Sequence, residues 1–182
     1  MILFFGAPGS GKSSQGQKLV ERNDWQWMST GDLFRSSEDP EVLKRLATGE
    51  LIDDELTNKV LSDALQKLDT SKKLVLDGYP RNVDQAEWLL ANVPKYGQSV
   101  ECIIVFDVPR DELIHRQIGR GRSEDTEEII GHRLDIYEEK TRPAIDFYEQ
   151  NSIPVLRVDG TGSIEGVHSR VYEALETCLQ PQ

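Results

Sequence analysis

Residues 6–13 have the types and the spacing of a phosphate-binding loop. The segment reads Gly-Ala-Pro-Gly-Ser-Gly-Lys-Ser, the pattern G-x4-G-K-S, and it lies between the apolar run 2–5 and a helical pattern. Glycines allow backbone N–H groups to turn toward phosphate oxygens, and the following helix adds the positive end of its dipole. Lys12 would meet the outer phosphates, and the hydroxyl of Ser13 or Ser14 would meet a magnesium ion. The alternative is a glycine-rich turn without this chemistry, but the order of strand, loop, lysine, hydroxyl and helix predicts phosphate binding.

An acid and a cation follow the apolar run 73–76, which is predicted to be a strand. Asp77 ends the run, and an acid there, downstream of a phosphate loop, is the usual second group on the magnesium side. The alternative for Asp77 is a turn residue at a strand end. Arg81 comes four residues later and is expected at the same edge of the sheet. Together with Lys12, these residues predict one anion-binding site.

The predicted position of Arg35 is unusual for a positively charged residue. It falls in the first turn of a predicted helix, where a cation opposes the helix dipole. This placement is favourable if an anion lies beside the arginine. Thr30 or Asp32 is expected to cap the same helix, which is the ordinary explanation for both residues.

The segment 115–122 is basic and broken by glycines, as is common for a solvated helix end and its loop. Asp125 with Glu128 then fits a helix-capping pair. Arg133 falls inside the apolar stripe of the helix that follows. It is either an inward structural ion pair or a site residue, and we favour the site.

These residues must be positioned by short apolar runs that alternate with amphipathic stretches. We predict strands at 2–6, 26–29, 73–77, 100–107 and 153–158, and helices at 12–23, within 32–68, and at 83–92, 110–119, 126–149 and 163–179. This alternation indicates an α/β fold with a parallel sheet and helices on both faces. Ligands bind such sheets beyond the carboxyl ends of the strands, where the candidate residues fall.

The bulk composition fits one soluble domain. The chain has 182 residues, 37% of them hydrophobic, and a net charge of -11, which argues against a nucleic-acid polymer or an anionic membrane as partner. The amino terminus does not resemble a signal peptide, and no apolar run approaches membrane-spanning length, so we expect a cytoplasmic protein, with a monomer as its expected state.

The cysteines and histidines offer no further chemistry. The two cysteines, Cys102 and Cys178, are too few and too isolated for a disulfide framework or a zinc cluster, and we interpret both as core residues. The three histidines, His115, His132 and His168, fit surface positions. None is a strong candidate for a general base.

Five motifs, in order and nearly from end to end, resemble the adenylate kinase family of nucleoside monophosphate kinases. They are Gly6-Ala-Pro-Gly-Ser-Gly-Lys12; Ser29-Thr-Gly-Asp32 with Arg35; Leu76-Asp-Gly-Tyr-Pro-Arg81 with Gln85; Arg116, Arg120-Gly-Arg122, Asp125 and Arg133; and Val158-Asp-Gly160.

The resemblance implies a P-loop kinase fold with a five-stranded parallel sheet in a single domain, 1–182. Its core would comprise 1–29, 62–120 and 126–182, with a helical monophosphate-binding segment at 30–61 and a very short lid at 121–125. The implied reaction is reversible, Mg-dependent phosphoryl transfer between small-molecule nucleotides, ATP + AMP giving two ADP. Mg²⁺ is the implied cofactor, and no zinc is expected because the lid lacks cysteines.

The resemblance also implies the site residues. ATP would contact Gly9, Ser10, Gly11, Lys12, Ser13, Ser14, Arg116, Arg120 and Gly162. AMP would contact Thr30, Gly31, Arg35, Glu50, Leu51, Ile52, Gly78, Tyr79, Arg81, Gln85, Arg122 and Arg133. The catalytic cations would be Lys12, Arg81, Arg120, Arg122 and Arg133, and the metal would lie near Ser13 and Asp77, partly through water.

The acceptor base can be argued from one side chain. The Gln85 amide offers a donor and an acceptor, which match an adenine edge, and adenine-specific relatives carry glutamine there. Asn82 resembles pyrimidine monophosphate kinases instead, so a UMP or CMP kinase is the alternative. A nucleotide-binding protein without transferase activity is a second alternative.

Three features depart from the family pattern. The monophosphate-binding segment is several residues short at 36–40, and the lid is shorter than in short-lid relatives. Ser13-Ser14 also stands where the family usually has Gly-Thr, which leaves the metal-side hydroxyl open between the two.

Overall fold

Five parallel strands form the sheet at the centre of the fold, which is known from a computed structural model describing residues 1–122 and 125–179. The strands are β1 (Ile2–Phe5), β2 (Trp25–Ser29), β3 (Lys73–Asp77), β4 (Cys102–Asp107) and β5 (Val155–Asp159). Their order across the sheet is β2-β3-β1-β4-β5, and every neighbouring pair is parallel. The predicted α/β fold with a five-stranded parallel sheet is confirmed.

The interiors of the three central strands, β3, β1 and β4, are apolar because helices cover both faces of the sheet. In β1, Leu3 and Phe5 point into one core with Leu61 and Leu89, while Ile2 and Phe4 point into the other. Side chains of a strand alternate between faces, so a strand buried on both sides has no polar position. This explains why β1 and β4 were visible in the sequence as apolar runs, whereas the edge strands β2 and β5 contain Gln26 and Arg157.

Nine α-helices connect the strands within the described residues. They are α1 (Lys12–Arg22), α2 (Thr30–Arg35), α3 (Pro40–Thr48), α4 (Asp54–Leu65), α5 (Val83–Asn92), α6 (Arg110–Arg120), α7 (Glu127–Ile136), α8 (Arg142–Gln150) and α9 (Ile164–Leu179). A short 3-10 helix, Val93–Tyr96, follows α5. In residues 1–122 and 125–179 no helix is long and apolar enough to cross a bilayer.

The helix predicted at 126–149 is interrupted. A π-helical turn, Tyr137–Thr141, separates α7 from α8, and Pro143 occupies the first turn of α8. Proline lacks an N–H and crowds the preceding turn, so an unbroken α-helix through this position is unfavourable. The apolar periodicity alone did not show the break.

Two predicted helix caps were assigned to the wrong residues. Ser29, not Thr30 or Asp32, caps α2, because its side chain accepts a hydrogen bond from the Asp32 N–H. Thr126, not Asp125, caps α7 by accepting from the Ile129 N–H. Asp125 is thereby left for another role in the site.

Cys102 and Cys178 form a disulfide that joins β4 to the last turn of α9. The predicted core positions are confirmed, since Cys102 is buried and Cys178 packs against the same cluster. The two cysteines were expected to be too isolated for a disulfide framework, and the interpretation of both as core residues alone missed this single bridge. The residues are 76 apart in sequence, and only the packing of α9 on the sheet brings them together.

His168 corrects a second expectation, because it is buried rather than exposed. Its Nδ1 lies 2.9 Å from the Oε1 of Gln15 in α1. Burial lowers the pKa of His168, so the neutral ring is favoured. The surface positions predicted for His115 and His132 are confirmed.

Candidate active site

Two adjoining cavities lie beyond the carboxyl ends of the strands, where the phosphate loop leaves β1. The α2-side cavity lies between the phosphate loop, α2 and the residues after β3, and the α9-side cavity lies between the loop, α6 and the start of α9. Gly9, Lys12, Ser13, Arg120 and Arg122 line both cavities. These five residues therefore form the boundary between the two spaces.

The phosphate loop takes its shape from glycines with positive φ. Gly9 has a φ of 88° and Gly11 a φ of 92°, backbone angles that residues with a Cβ atom rarely adopt. The loop wraps the Lys12 ammonium, which donates to the Gly6 carbonyl oxygen at 2.6 Å and to the Ala7 carbonyl oxygen at 3.1 Å. Burial lowers the pKa of Lys12 to about 8, although the charge of Asp77 acts in the opposite direction. The lysine is thus held at the junction of both cavities.

Ser13, in the first turn of α1, meets Asp77 at the end of β3. The Ser13 hydroxyl donates to Oδ2 of Asp77 at 3.1 Å, while the buried Oδ1 has no hydrogen-bond partner among the described residues. A hydroxyl and a carboxylate oxygen are ligands that Mg²⁺ accepts while it keeps several waters. The described part of the chain contains no group of three or more His, Cys, Asp or Glu that could hold a metal by itself. The pair fits a magnesium ion carried largely by phosphate and water.

Asp125 holds two of the predicted catalytic arginines. Its carboxylate accepts two hydrogen bonds from Arg120, at 2.9 and 2.8 Å, and a third from Arg133 Nη1 at 3.2 Å. Arg133 also donates to the Leu46 carbonyl oxygen of α3 at 3.0 Å. Burial favours the protonated acid, but the hydrogen bond and charge of Arg120 outweigh it, so the pKa of Asp125 is lowered. Arg133 is both an ion pair and a cavity residue, the two readings that the sequence left open.

Three hydrogen bonds hold Arg81, one to its side chain and two to its backbone. Its Nε donates to the Gly78 carbonyl oxygen at 2.8 Å, and its backbone N–H donates to Oε1 of Gln85 at 2.7 Å. Its own carbonyl oxygen accepts from the Thr141 hydroxyl, in the π-helical turn, at 2.9 Å. Burial lowers the pKa of Arg81, with Asp77 opposing the shift, but a guanidinium stays charged at neutral pH. The Arg81 cation therefore lines the α2-side cavity with its Nε tied to the backbone of Gly78.

The cavities are positive inside an acidic protein. The α2-side cavity is lined by six cations and two acids, a difference of four positive charges: Lys12, Arg35, Arg81, Arg120, Arg122 and Arg133 against Glu50 and Asp77. The α9-side cavity adds Arg116, which donates to the Gly160 carbonyl oxygen at 3.0 Å and to Glu112. Such a cleft attracts small anions while the rest of the surface repels polyanions.

The structure brings nearly all of the sequence-predicted residues together. The α9-side cavity is lined by every predicted ATP residue: Gly9, Ser10, Gly11, Lys12, Ser13, Ser14, Arg116, Arg120 and Gly162. The α2-side cavity is lined by Thr30, Gly31, Arg35, Glu50, Leu51, Ile52, Gly78, Arg81, Gln85, Arg122 and Arg133. Two residues of the predicted lid, 123 and 124, lie outside the described residues.

Tyr79 is the predicted contact that does not line a cavity. Its side chain is buried in the core, and its hydroxyl donates to Asn58 Oδ1 and to the Gln85 carbonyl oxygen. Burial raises its pKa, so the phenol stays neutral. Sequence reasoning also missed lining residues, among them Phe34, Leu46 and Gln117. Apolar residues on helices carry no local signal that separates cavity wall from core.

Arg35 lines the α2-side cavity, but the expectation that it falls in the first turn of a helix was wrong, because it is the last residue of α2. It forms an ion pair with Asp32 in the same turn of α2, and its side chain remains 41% exposed toward the cavity. A cation at this end of a helix is favoured by the helix dipole, so the predicted conflict between Arg35 and the dipole is absent. Arg35 is therefore held loosely enough to meet an anion.

Comparison with known proteins agrees with this geometry. The family model described as adenylate kinase matches residues 4–153. The chain is 40% identical to an adenylate kinase of Kocuria rhizophila, with 96% of this chain and 98% of the relative covered. It is 38% identical to an adenylate kinase of Mycobacteroides abscessus with the same coverage, and 38% identical to one of Micrococcus luteus, of which 89% is covered. The chain belongs to the adenylate kinase family of phosphotransferases.

Proposed function

We propose that the chain catalyses reversible transfer of the γ-phosphoryl group from Mg-ATP to AMP, giving two ADP. The observation that carries the proposal is the pair of adjoining cavities with Lys12, Arg120 and Arg122 on their shared boundary. A phosphoryl group that passes between two bound nucleotides would cross that boundary. The relatives named adenylate kinase support the same reaction.

ATP is assigned to the α9-side cavity and AMP to the α2-side cavity. The phosphate loop and Arg116 lie on the first side, as a triphosphate requires. Thr30, Arg35 and Arg81 lie on the second side, where a monophosphate would meet two arginines. Segment 30–61 is proposed as the monophosphate-binding segment and 121–125 as the lid.

Catalysis needs alignment and charge neutralisation rather than a general base. The acceptor phosphate is already an anionic nucleophile at neutral pH, and the cavities present cations on both sides of its path. Lys12, Arg81 and Arg133 are held by backbone or carboxylate partners, so little reorganisation is needed as charge moves. Magnesium, held beside Ser13 and Asp77, would neutralise phosphate charge. Lid closure would exclude water, which otherwise accepts the phosphoryl group.

The structure favours AMP over a pyrimidine nucleotide as acceptor. Gln85 lines the α2-side cavity, whereas Asn82, the residue that resembles pyrimidine kinases, does not. The Asn82 side chain instead caps α5, accepting from the Gln85 N–H. Asn82 is therefore accounted for without a base contact.

A coupled assay across AMP, CMP, UMP and dCMP with saturating Mg-ATP tests the proposal. We expect the highest kcat/KM with AMP. Higher turnover with UMP or CMP would replace the proposal with a pyrimidine kinase. No turnover on any monophosphate would replace it with a nucleotide-binding protein that lacks transferase activity.

The proposal extends to the setting of the enzyme. We propose a monomer that works in the cytoplasm in nucleotide biosynthesis. Sedimentation of the purified protein and fractionation of the source cells would test these two points.

A further inference from the structure

Asp54 lies beside the α2-side cavity but belongs to no site predicted from the sequence. It is the first residue of α4, directly after the cap Asp53, and its side chain is half-buried. Its carboxylate accepts a hydrogen bond from Gln85 Nε2 at 2.6 Å, and Nδ2 of Asn82 lies 3.0 Å from each of its two oxygens. One acid thus joins the start of α4 to the start of α5.

The Gln85 amide lies between two partners of fixed polarity. Its Oε1 accepts from the Arg81 N–H at 2.7 Å, while its Nε2 donates to Asp54. A backbone N–H can only donate, and a carboxylate can only accept. Both partners therefore require the same orientation of the amide. A flipped amide would set N–H against N–H and oxygen against a carboxylate oxygen.

We propose that Asp54 is a positioning residue that selects the acceptor base through Gln85. The inference rests on the proposed function, in which this cavity binds AMP. With two partners fixed, the amide retains one N–H and one oxygen lone pair, in a fixed order. A 6-aminopurine presents a donor at N6 and an acceptor at N1, and a 6-oxopurine presents the reverse. A locked amide matches one of these edges, whereas an amide free to flip would match both.

Asp54 also explains the neighbouring asparagine. Asn82 Oδ1 accepts from the Gln85 N–H at 2.8 Å, so Asn82 fixes the backbone of Gln85 while Asp54 fixes its side chain. Asp54 holds Asn82 in turn. The three residues form one network whose only member in the cavity lining is Gln85.

The test is the ratio of kcat/KM for AMP to kcat/KM for IMP, the 6-oxo counterpart, with saturating Mg-ATP. Asp54→Asn keeps the shape, but its amide can face Gln85 with an oxygen or an N–H, which leaves the Arg81 N–H as the partner that still requires one orientation. We expect the AMP/IMP ratio to fall about tenfold, as for the loss of one hydrogen bond to a charged group, with KM for ATP unchanged. Asp53→Asn is the matched control, since it removes the same charge one residue away, keeps a capping side chain and does not contact Gln85.

A double variant separates positioning from general damage. Gln85→Leu should lower the AMP/IMP ratio by itself, and Asp54→Asn on that background should change it no further. The ratio does not depend on the amount of folded enzyme, so partial unfolding of a variant leaves it interpretable. The proposal is overturned if Asp54→Asn matches Asp53→Asn, or if its effect persists in Gln85→Leu. Wild-type enzyme that prefers another monophosphate to AMP would instead refute the proposed function.

Discussion

Asp125→Asn should destabilise the protein and change its response to acid. The Asp125 side chain is 1% exposed, and the Arg120 and Arg133 side chains are 33% and 15% exposed. Hydrogen bonds to charged groups contribute about 1.5–3 kcal/mol each, and an asparagine retains one accepting oxygen for the two arginines. Because Arg120 is partly solvated, we expect a loss of about 2–3 kcal/mol in the free energy of unfolding. For a chain of this size that lowers Tm by roughly 4–12 °C.

The lowered pKa of Asp125 determines how the stability difference changes with pH. The folded-state pKa of Asp125 is lowered, so its stabilisation is present above the unfolded pKa of about 4 and is lost as pH falls through the folded value. The difference between wild type and Asp125→Asn should therefore be full at pH 7 and shrink below about pH 4. Urea unfolding at a series of pH values measures it.

Asp135→Asn supplies the matched control. Asp135 of α7 pairs with Arg110 of α6, but the two side chains are 58% and 49% exposed, so the loss should be about 0–1 kcal/mol. The reasoning would be refuted if both variants lost the same free energy of unfolding. It would also be refuted if the difference in that free energy between wild type and Asp125→Asn did not change with pH.

Three further predictions concern other parts of the fold. Reduction of the disulfide, or Cys178→Ser, should lower the free energy of unfolding by up to about 4.5 kcal/mol, because the disulfide closes a loop of 76 residues. Dithiothreitol should lower the Tm of the wild type but not that of Cys178→Ser, and a wild-type Tm that does not respond to the reductant would contradict this prediction. Gly16→Ala should weaken ATP binding and lower Tm, because the added Cβ would lie 1.8 Å from a Trp27 ring carbon. Calorimetry that finds a wild-type Tm and a wild-type ATP affinity for this variant would contradict the packing argument. ATP affinity measured by titration should weaken above about pH 8 as Lys12 loses its proton, and a constant affinity to roughly pH 9.5 would contradict the lowered pKa.

The sequence predicted those parts of the site that are local in the chain. The phosphate loop and Asp77 could be recognised because a strand, a turn and a charged group follow one another within a few residues. The pairing of Asp125 with Arg120 and Arg133 could not be separated from a helix cap, because an acid before a helix has the same local pattern in both cases.

Long-range packing accounts for the other differences. The disulfide of Cys102 depends on how α9 lies on the sheet, and the burial of His168 depends on Gln15 of α1. Tyr79 stands between two cavity residues in sequence, yet its ring turns into the core. Neither apolar periodicity nor motif spacing contains this information.

The π-helical turn between α7 and α8 has a consequence for helical phase. A π turn inserts one residue relative to an α-helix, and one residue corresponds to about 100° of rotation. The turn therefore allows α7 to direct Arg133 at Asp125 while α8 directs Tyr148 into the core and Thr141 reaches the Arg81 carbonyl oxygen. Deleting a single residue from 137–141 would change the rotation of α7 relative to α8 by about 100° and turn Arg133 away from the cleft. The spacing between these residues, and not only their identity, is part of the active site.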